Sequence, residues 1–132
     1  MAIEIPAQFR DLLDKKAFAH LGTLMSDGQP QVTPVWFDFA DGHIRVNSAK
    51  GRVKDKNMRR DPRVALSILD PDNAYRYLEI RGKVVHITED GAVAHINALA
   101  KKYMGLDTYP FHQPGVARVI YRIEPLRCSS MG

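Results

Sequence analysis

Cysteine is scarce in this sequence, since Cys128 is the only one among 132 residues. A single cysteine excludes an internal disulfide framework and a metal site built from cysteine ligands. The five histidines are scattered and lack acidic partners at the spacing of metal ligands. We therefore expect no metal site.

Long hydrophobic runs are also missing. No apolar stretch approaches the ~20 residues that a membrane-spanning helix needs. The segment Met1–Pro6 has neither the basic start nor the apolar core of a signal peptide. We therefore expect a cytoplasmic protein that has no membrane partner.

Several catalytic fingerprints are absent from the chain. It contains no Gly-x-Ser-x-Gly, His-Glu-x-x-His, Walker or dinucleotide-binding Gly-x-Gly-x-x-Gly motif, which excludes the enzyme classes that depend on them. The hydrophobic content of 45% and the charged content of 26% are those of an ordinary globular protein. The length predicts one domain that spans residues 1–132.

The hydrophobic periodicity predicts a mainly β protein with peripheral helices. Turn residues such as Asp27-Gly28 and Asp41-Gly42 separate hairpin strands, and consecutive hairpins favour a small closed or nearly closed barrel. We expect the strand at 64–69 to be buried on both faces, and Gly82 to form a bulge or bend. The predicted strands cover 17–25, 31–39, 43–47, 64–69, 75–87 and 116–123, and the predicted helices 6–14, 51–60 and 89–103.

The most informative segment is basic. Seven Lys or Arg residues fall between Lys50 and Arg63, after a predicted strand and a Ser-Ala-Lys-Gly sequence. The start of a helix attracts anions through its unpaired N–H groups and its dipole, so this segment is a candidate phosphate cradle. A solvated helix face is the alternative interpretation. The net charge of +4 also favours an anionic partner.

The order of these segments resembles a known family. Hairpin strands precede the Arg-x-Lys-x-x-Asn pattern at Arg52, Lys54 and Asn57, and a long strand containing Glu79–Val84 follows. This order is similar to that of the split-barrel flavin and deazaflavin oxidoreductases related to pyridoxamine 5′-phosphate oxidase. The short branch that uses coenzyme F420 is the most similar.

The resemblance implies a six-stranded antiparallel split barrel of the FMN-binding type. It also implies a homodimer with two cofactor sites at the subunit interface, and hydride transfer between F420 and a small conjugated organic substrate. Such a cofactor carries the hydride chemistry itself. The vitamin B6 oxidases have a longer C-terminal segment with an arginine for the substrate phosphate, so we expect a different reaction here.

The resemblance also assigns residues. Arg52 and Lys54 would bind the cofactor phosphate, with Ser48 beside it, and Asn57 belongs to the same motif. Lys50 is a candidate for the anionic tail of F420. The strand that would face the ring contributes Val32, Thr33, Pro34, Val35 and Trp36. Ser67 is a weaker ring-side candidate, and Tyr77 and His112 are candidates to line the substrate pocket. Packing between strands is the alternative role for Tyr77.

Three other interpretations stay open at this level. FMN also carries a phosphate on a ribityl arm, so the phosphate ligands do not distinguish it from F420. A flavin-binding protein without catalytic activity would have the same fold. A barrel that binds nucleic acid is more distant, because the basic run lies on a helix and is not interleaved with aromatic residues on a sheet; we expect no nucleic-acid partner.

Overall fold

The computed structural model describes residues 2–132. Within this range the chain forms one seven-stranded sheet, two α-helices and one 3₁₀ helix. The 3₁₀ helix is Ala7–Leu13, and the strands are β1 Ala19–Leu24, β2 Pro30–Val35, β3 Phe37–Ala40, β4 His43–Ala49, β5 Arg63–Leu69, β6 Tyr77–Thr88 and β7 Arg118–Met131. The helices are α1 Val53–Arg60 and α2 Ala92–Met104.

The sheet is antiparallel throughout and curls on itself. Its strand order is β2-β1-β5-β6-β7-β4-β3, so the two edge strands are consecutive in sequence. Only Trp36 separates them, which brings the two edges of the half-barrel together at this residue. The mainly β fold and the curled antiparallel sheet confirm the predicted class.

The predicted count of six strands is wrong because the strand expected at 31–39 is divided. Val35 pairs with Ala19 on β1, whereas Phe37 pairs with Val46 on β4. Both side chains still point into the core. The alternation of side chains therefore continues across Trp36 while the pairing partner changes, and only the change of partner divides the strand.

The core lies inside the curled sheet, and the 3₁₀ helix closes one end through Phe9, Leu12 and Leu13. On β5, Leu66 and Ile68 are buried, whereas the alternate residues face outward and are exposed. The expectation that this strand is buried on both faces is wrong for the single chain. Each fully buried Leu, Ile or Phe contributes about 1.5–3 kcal/mol relative to its exposed state.

Gly82 confirms the predicted bulge. The register shifts between Arg81 and Gly82, which lie opposite Arg127 and Pro125. A Cβ atom at position 82 would come within 2.3 Å of the Glu124 carbonyl oxygen. The bulge also allows β7 to continue past Pro125, so this strand ends at Met131 and not at the predicted residue 123.

The helix predicted at 89–103 begins three residues later. Thr88 Oγ1 accepts the N–H of Asp90 at 3.0 Å, and Gly91 adopts a positive φ of 74°. A residue with this left-handed backbone does not continue a right-handed helix. The predicted end is confirmed, because Gly105 closes α2 with a φ of 72°. None of the helices in residues 2–132 has the length and apolar character needed to span a bilayer.

Candidate functional site

A cavity of about 240 Å³ lies where the two sheet edges meet. The end of β2, the end of β4, the start of α1 and the start of β7 contribute most of its walls, and α2 and the following loop close it. The lining residues are Phe18, Pro34, Val35, Trp36, Asn47, Ser48, Arg52, Lys54, Ile96, Tyr109, Phe111 and Arg118. We call this cavity the seam pocket.

One wall of the seam pocket is basic. Arg52, Lys54 and Arg118 line it, and its lining contains no Asp or Glu. Burial and the nearby charges of Arg52 and Arg118 lower the pKa of Lys54. Burial also lowers the pKa of Arg118, and Arg52 adds to this effect. Cations held together without an acidic partner are stabilised by a bound anion, so the donor set fits a phosphate group.

Asp55 fixes the start of α1 beside this wall. Its buried carboxylate accepts the backbone N–H of Gly51 at 2.9 Å, Nε of Arg59 at 2.9 Å and the hydroxyl of Tyr121 on β7. Gly51 adopts a φ of 92°, which lets the chain turn sharply into the helix. The N–H groups of the first helical turn, which includes Lys54, have no partner within the helix and favour an anion.

The opposite wall is aromatic. Trp36 stacks on Tyr103 with ring centroids 5.1 Å apart and an interplanar angle of 3°, and Tyr109 meets it edge-on at 6.0 Å. The Tyr103 hydroxyl donates to the carbonyl of Ala17 at 2.6 Å and accepts the N–H of Phe37. Burial raises the pKa of Tyr103 to about 12. The wall is therefore rigid, flat and apolar, and it fits a planar ring.

A second cavity of about 300 Å³ adjoins the seam pocket and shares Arg52, Arg118, Tyr109 and Phe111 with it. His112 and Gln113 also line this cavity. Asn97 on α2 orders the loop, because its Oδ1 accepts the backbone N–H of Tyr109 at 2.8 Å. The two cavities form one cleft that is basic in the middle and aromatic on both sides.

The structure brings most of the predicted site residues together. Six line the seam pocket, namely Pro34, Val35, Trp36, Ser48, Arg52 and Lys54, and His112 lines the adjoining cavity. Because β2 is an edge strand, one side of its backbone has no partner in the sheet. That this strand faces the ring of a ligand stays a prediction.

The remaining predicted residues lie away from the cleft. Asn57 is buried, and its amide donates to Thr23 Oγ1 at 3.0 Å and accepts from Arg60. Lys50 forms an ion pair with Glu89 at 3.1 Å. Thr33 has a buried hydroxyl without a hydrogen-bond partner. The other three lie on the outer face of the sheet or at its end: Val32 and Ser67, which are exposed, and Tyr77, which is half-buried and paired with Leu69 and Met131.

Sequence reasoning missed Arg118, the third cation of the pocket, and Asn47 beside it. Arg118 lies opposite Ala49 in the pairing of β4 with β7, about seventy positions further along the chain. Arg118 falls within the predicted final strand at 116–123, and the pattern of that strand does not indicate which strand it pairs with. Within residues 2–132, no cluster of three or more His, Cys, Asp or Glu is arranged to hold a metal ion.

Comparison with known proteins identifies the family. A family model described as pyridoxamine 5′-phosphate oxidase matches residues 5–132. The chain therefore belongs to this family of split-barrel flavin and deazaflavin oxidoreductases. The family relationship indicates an oxidoreductase type of function and binding of a flavin or a deazaflavin.

Solved structures agree with this assignment. One named F420 reductase is 35% identical, with a TM-score of 0.83 over 95% of this chain and 98% of that chain. A conserved hypothetical protein from Mycobacterium tuberculosis is 26% identical, with a TM-score of 0.78 over 98% of this chain and 86% of that one. HupZ from Group A Streptococcus is 19% identical, with a TM-score of 0.69 over 96% of this chain and 94% of that one. It therefore shares the fold.

Proposed function

We propose that the protein is an F420-dependent oxidoreductase that transfers a hydride between the deazaflavin and a small conjugated organic substrate. The observation that carries the proposal is the seam pocket, in which Arg52, Lys54 and Arg118 converge without an acidic neighbour beside a flat aromatic wall. The similarity to a protein named F420 reductase supports the choice of cofactor.

Each wall of the pocket has a separate role in this proposal. Arg52, Lys54 and Arg118 bind the phosphate, and the first turn of α1 adds its N–H groups. The free edge of β2 at Pro34 and Val35 contacts the polar side of the ring, while Trp36 excludes water from it. A bound deazaflavin supplies the hydride chemistry itself. The protein's contribution is orientation, electrostatic stabilisation and a dry cavity.

The adjoining cavity is the proposed substrate site. Tyr109 and Phe111 offer apolar surface to a flat conjugated molecule, and His112 offers a polar group at the rim. Arg52 and Arg118 border both cavities, so they can donate hydrogen bonds to the carbonyl oxygen of a conjugated carbonyl substrate and favour hydride transfer to it. Substrate and cofactor would then both contact the residues that the two cavities share.

A homodimer completes the proposed site. The outer face of β1 and β5 carries small residues at Gly22, Ala65 and Ser67, and it continues to Pro34 through the pairing of His20 with Pro34 and Ser67. Large apolar side chains are exposed around it, including Phe18, Val32 and Leu69. Small residues bordered by exposed apolar side chains favour contact with a second copy of the chain. Ser67 would then approach the site at the interface.

The cytoplasmic location of the protein stays a prediction from the sequence.

Ligand binding to the purified protein tests the proposal. Trp36 is the only tryptophan in the sequence and lines the pocket, so its fluorescence reports directly on occupancy. We expect saturable quenching by F420, loss of binding in Arg52→Ala and Lys54→Ala, and unchanged binding in Lys56→Ala. Lys56 is a matched control because it is exposed on the same helix and lies outside the cavity lining.

Other outcomes would replace parts of the proposal. Tight FMN binding without affinity for F420 would favour the flavin alternative. Binding of oligonucleotides without any affinity for either cofactor would move the protein to the nucleic-acid class. Light scattering on the eluting protein checks the dimer, and a monomer that binds the cofactor fully would remove the interface from the site.

A further inference from the structure

Arg118 is held from two sides in the seam pocket. Its Nε donates to Asn47 Oδ1 at 2.9 Å, and its guanidinium carbon lies 5.3 Å from the centroid of the Tyr109 ring. The hydrogen bond to Asn47 uses Nε alone, so it leaves the two terminal NH₂ groups of Arg118 for a ligand. A guanidinium in this orientation matches a phosphate or a carboxylate with two parallel hydrogen bonds.

The orientation of the Asn47 amide is fixed by two partners. Its Nδ2 donates to the carbonyl oxygen of Ala92 at 2.8 Å, which is a group that only accepts. Its Oδ1 accepts from Arg118, which only donates. A flipped amide would lose both hydrogen bonds, so the assignment of nitrogen and oxygen is determined by the surroundings.

This orientation determines the protonation of His95. The second N–H of the Asn47 amide points at Nδ1 of His95 across 3.1 Å, so Nδ1 must accept and carries no proton. The remaining ring proton is therefore on Nε2, which lies 3.2 Å from both carboxylate oxygens of Asp38. Arg45 holds that carboxylate with two hydrogen bonds of 2.8 and 2.7 Å.

We propose that Asp38, His95 and Asn47 form a positioning chain that fixes Arg118 for ligand binding, with His95 as the neutral Nε2–H tautomer. The inference rests on the proposed function in one respect, namely that Arg118 contacts the anionic part of the cofactor. Asp38 and His95 lie outside the lining of both cavities of the cleft, whereas Asn47 lines the seam pocket with its side-chain oxygen engaged by Arg118. All three act through the orientation of the arginine.

The first test needs no cofactor. In nitrogen-15 NMR spectra, we expect His95 to show a protonated Nε2 and an unprotonated Nδ1 near neutral pH. We expect the Arg118 Nε–H signal to be protected from solvent exchange, and to lose at least about tenfold of this protection in Asn47→Leu. A protonated Nδ1 in the wild-type protein, or equal protection in both proteins, would overturn the inference.

The second test is a double-mutant cycle on cofactor affinity. We expect Asn47→Leu to weaken F420 binding by about tenfold in the wild-type background, a loss comparable to that of one charged hydrogen bond. In an Arg118→Met background the same change should have less than about a twofold effect, because its target is gone. An equal loss in both backgrounds would overturn the inference.

His95 provides a milder pair of variants in case Asn47→Leu folds poorly. His95→Gln keeps one neutral acceptor and one donor, and we expect it to retain most of the protection of Arg118 that His95→Leu loses. Equal losses in the two variants would refute the role of the imidazole. If the wild-type protein bound neither F420 nor FMN, the proposed function would fail, while the Arg118 exchange measurement would still decide the positioning chain.

Discussion

Replacement of Tyr121 by phenylalanine tests how the start of α1 is anchored. The Tyr121 hydroxyl donates to the buried carboxylate of Asp55, which also accepts from Gly51 and Arg59. Phenylalanine fills the same space and removes only the hydroxyl. A hydrogen bond to a charged group contributes about 1.5–3 kcal/mol. Since two donors remain, we expect the free energy of unfolding at pH 7 to fall by about 2 kcal/mol.

The loss of unfolding free energy caused by Tyr121→Phe depends on pH in a definite direction. Burial alone would raise the pKa of Asp55, but the hydrogen bonds from Tyr121, Gly51 and Arg59 lower it below its ordinary value of 3.8. A carboxyl group with a lowered pKa in the folded state stabilises the fold above its unfolded pKa, and this stability is lost as the pH falls through the folded pKa. The effect of Tyr121→Phe should therefore shrink below about pH 4, toward the ~1 kcal/mol of a neutral hydrogen bond.

Urea unfolding at pH 7 and at successively lower pH measures this dependence, with Tyr75→Phe as the control. Tyr75 is 77% exposed, so its replacement should change the free energy of unfolding by less than about 0.5 kcal/mol. A loss for Tyr121→Phe as small as that of the control, or one that is constant at every pH, would refute the described anchoring of Asp55.

Three further predictions concern the fold and the cleft. Gly82→Ala should destabilise the protein by about 3 kcal/mol or more, because its Cβ would come within 2.3 Å of the Glu124 carbonyl oxygen. Urea unfolding measures the loss, and an unchanged midpoint would contradict the bulge. Trp36→Leu should cost about 1 kcal/mol through loss of the stack on Tyr103, read by thermal unfolding, and an unchanged melting temperature would contradict it. Cofactor binding should weaken between about 50 and 500 mM KCl, and an affinity independent of salt would exclude a role for the three cations.

The elements of this fold were largely predictable because most are local in origin. Short-range patterns place the strands, the bulge at Gly82 and the end of α2 at Gly105. The start of α2 was not predicted, since Thr88 resembles a helix cap and the positive φ of Gly91 depends on the turn that the chain makes there. The division at Trp36 was missed for a different reason, because the inward alternation of Val35 and Phe37 is the same in one strand or two.

The candidate site was predictable only in its local part. Arg52, Lys54 and Ser48 belong to one short segment, and the helix start itself suggests an anion. Arg118 is brought to them by strand pairing between residues about seventy positions apart. The alternation of polar and apolar side chains does not specify the order of strands in a sheet. Asn57 shows the opposite case, since it falls within the motif but its side chain packs against β1.

The most direct test of the central proposal is turnover of reduced F420 by the purified protein with a panel of small conjugated acceptors. We expect reoxidation of the cofactor to match the loss of acceptor double bonds one for one, with catalytic amounts of protein. The reaction should disappear in Lys54→Ala and persist in Lys56→Ala. A protein that purifies with FMN and leaves reduced F420 unchanged with every acceptor would contradict the assignment.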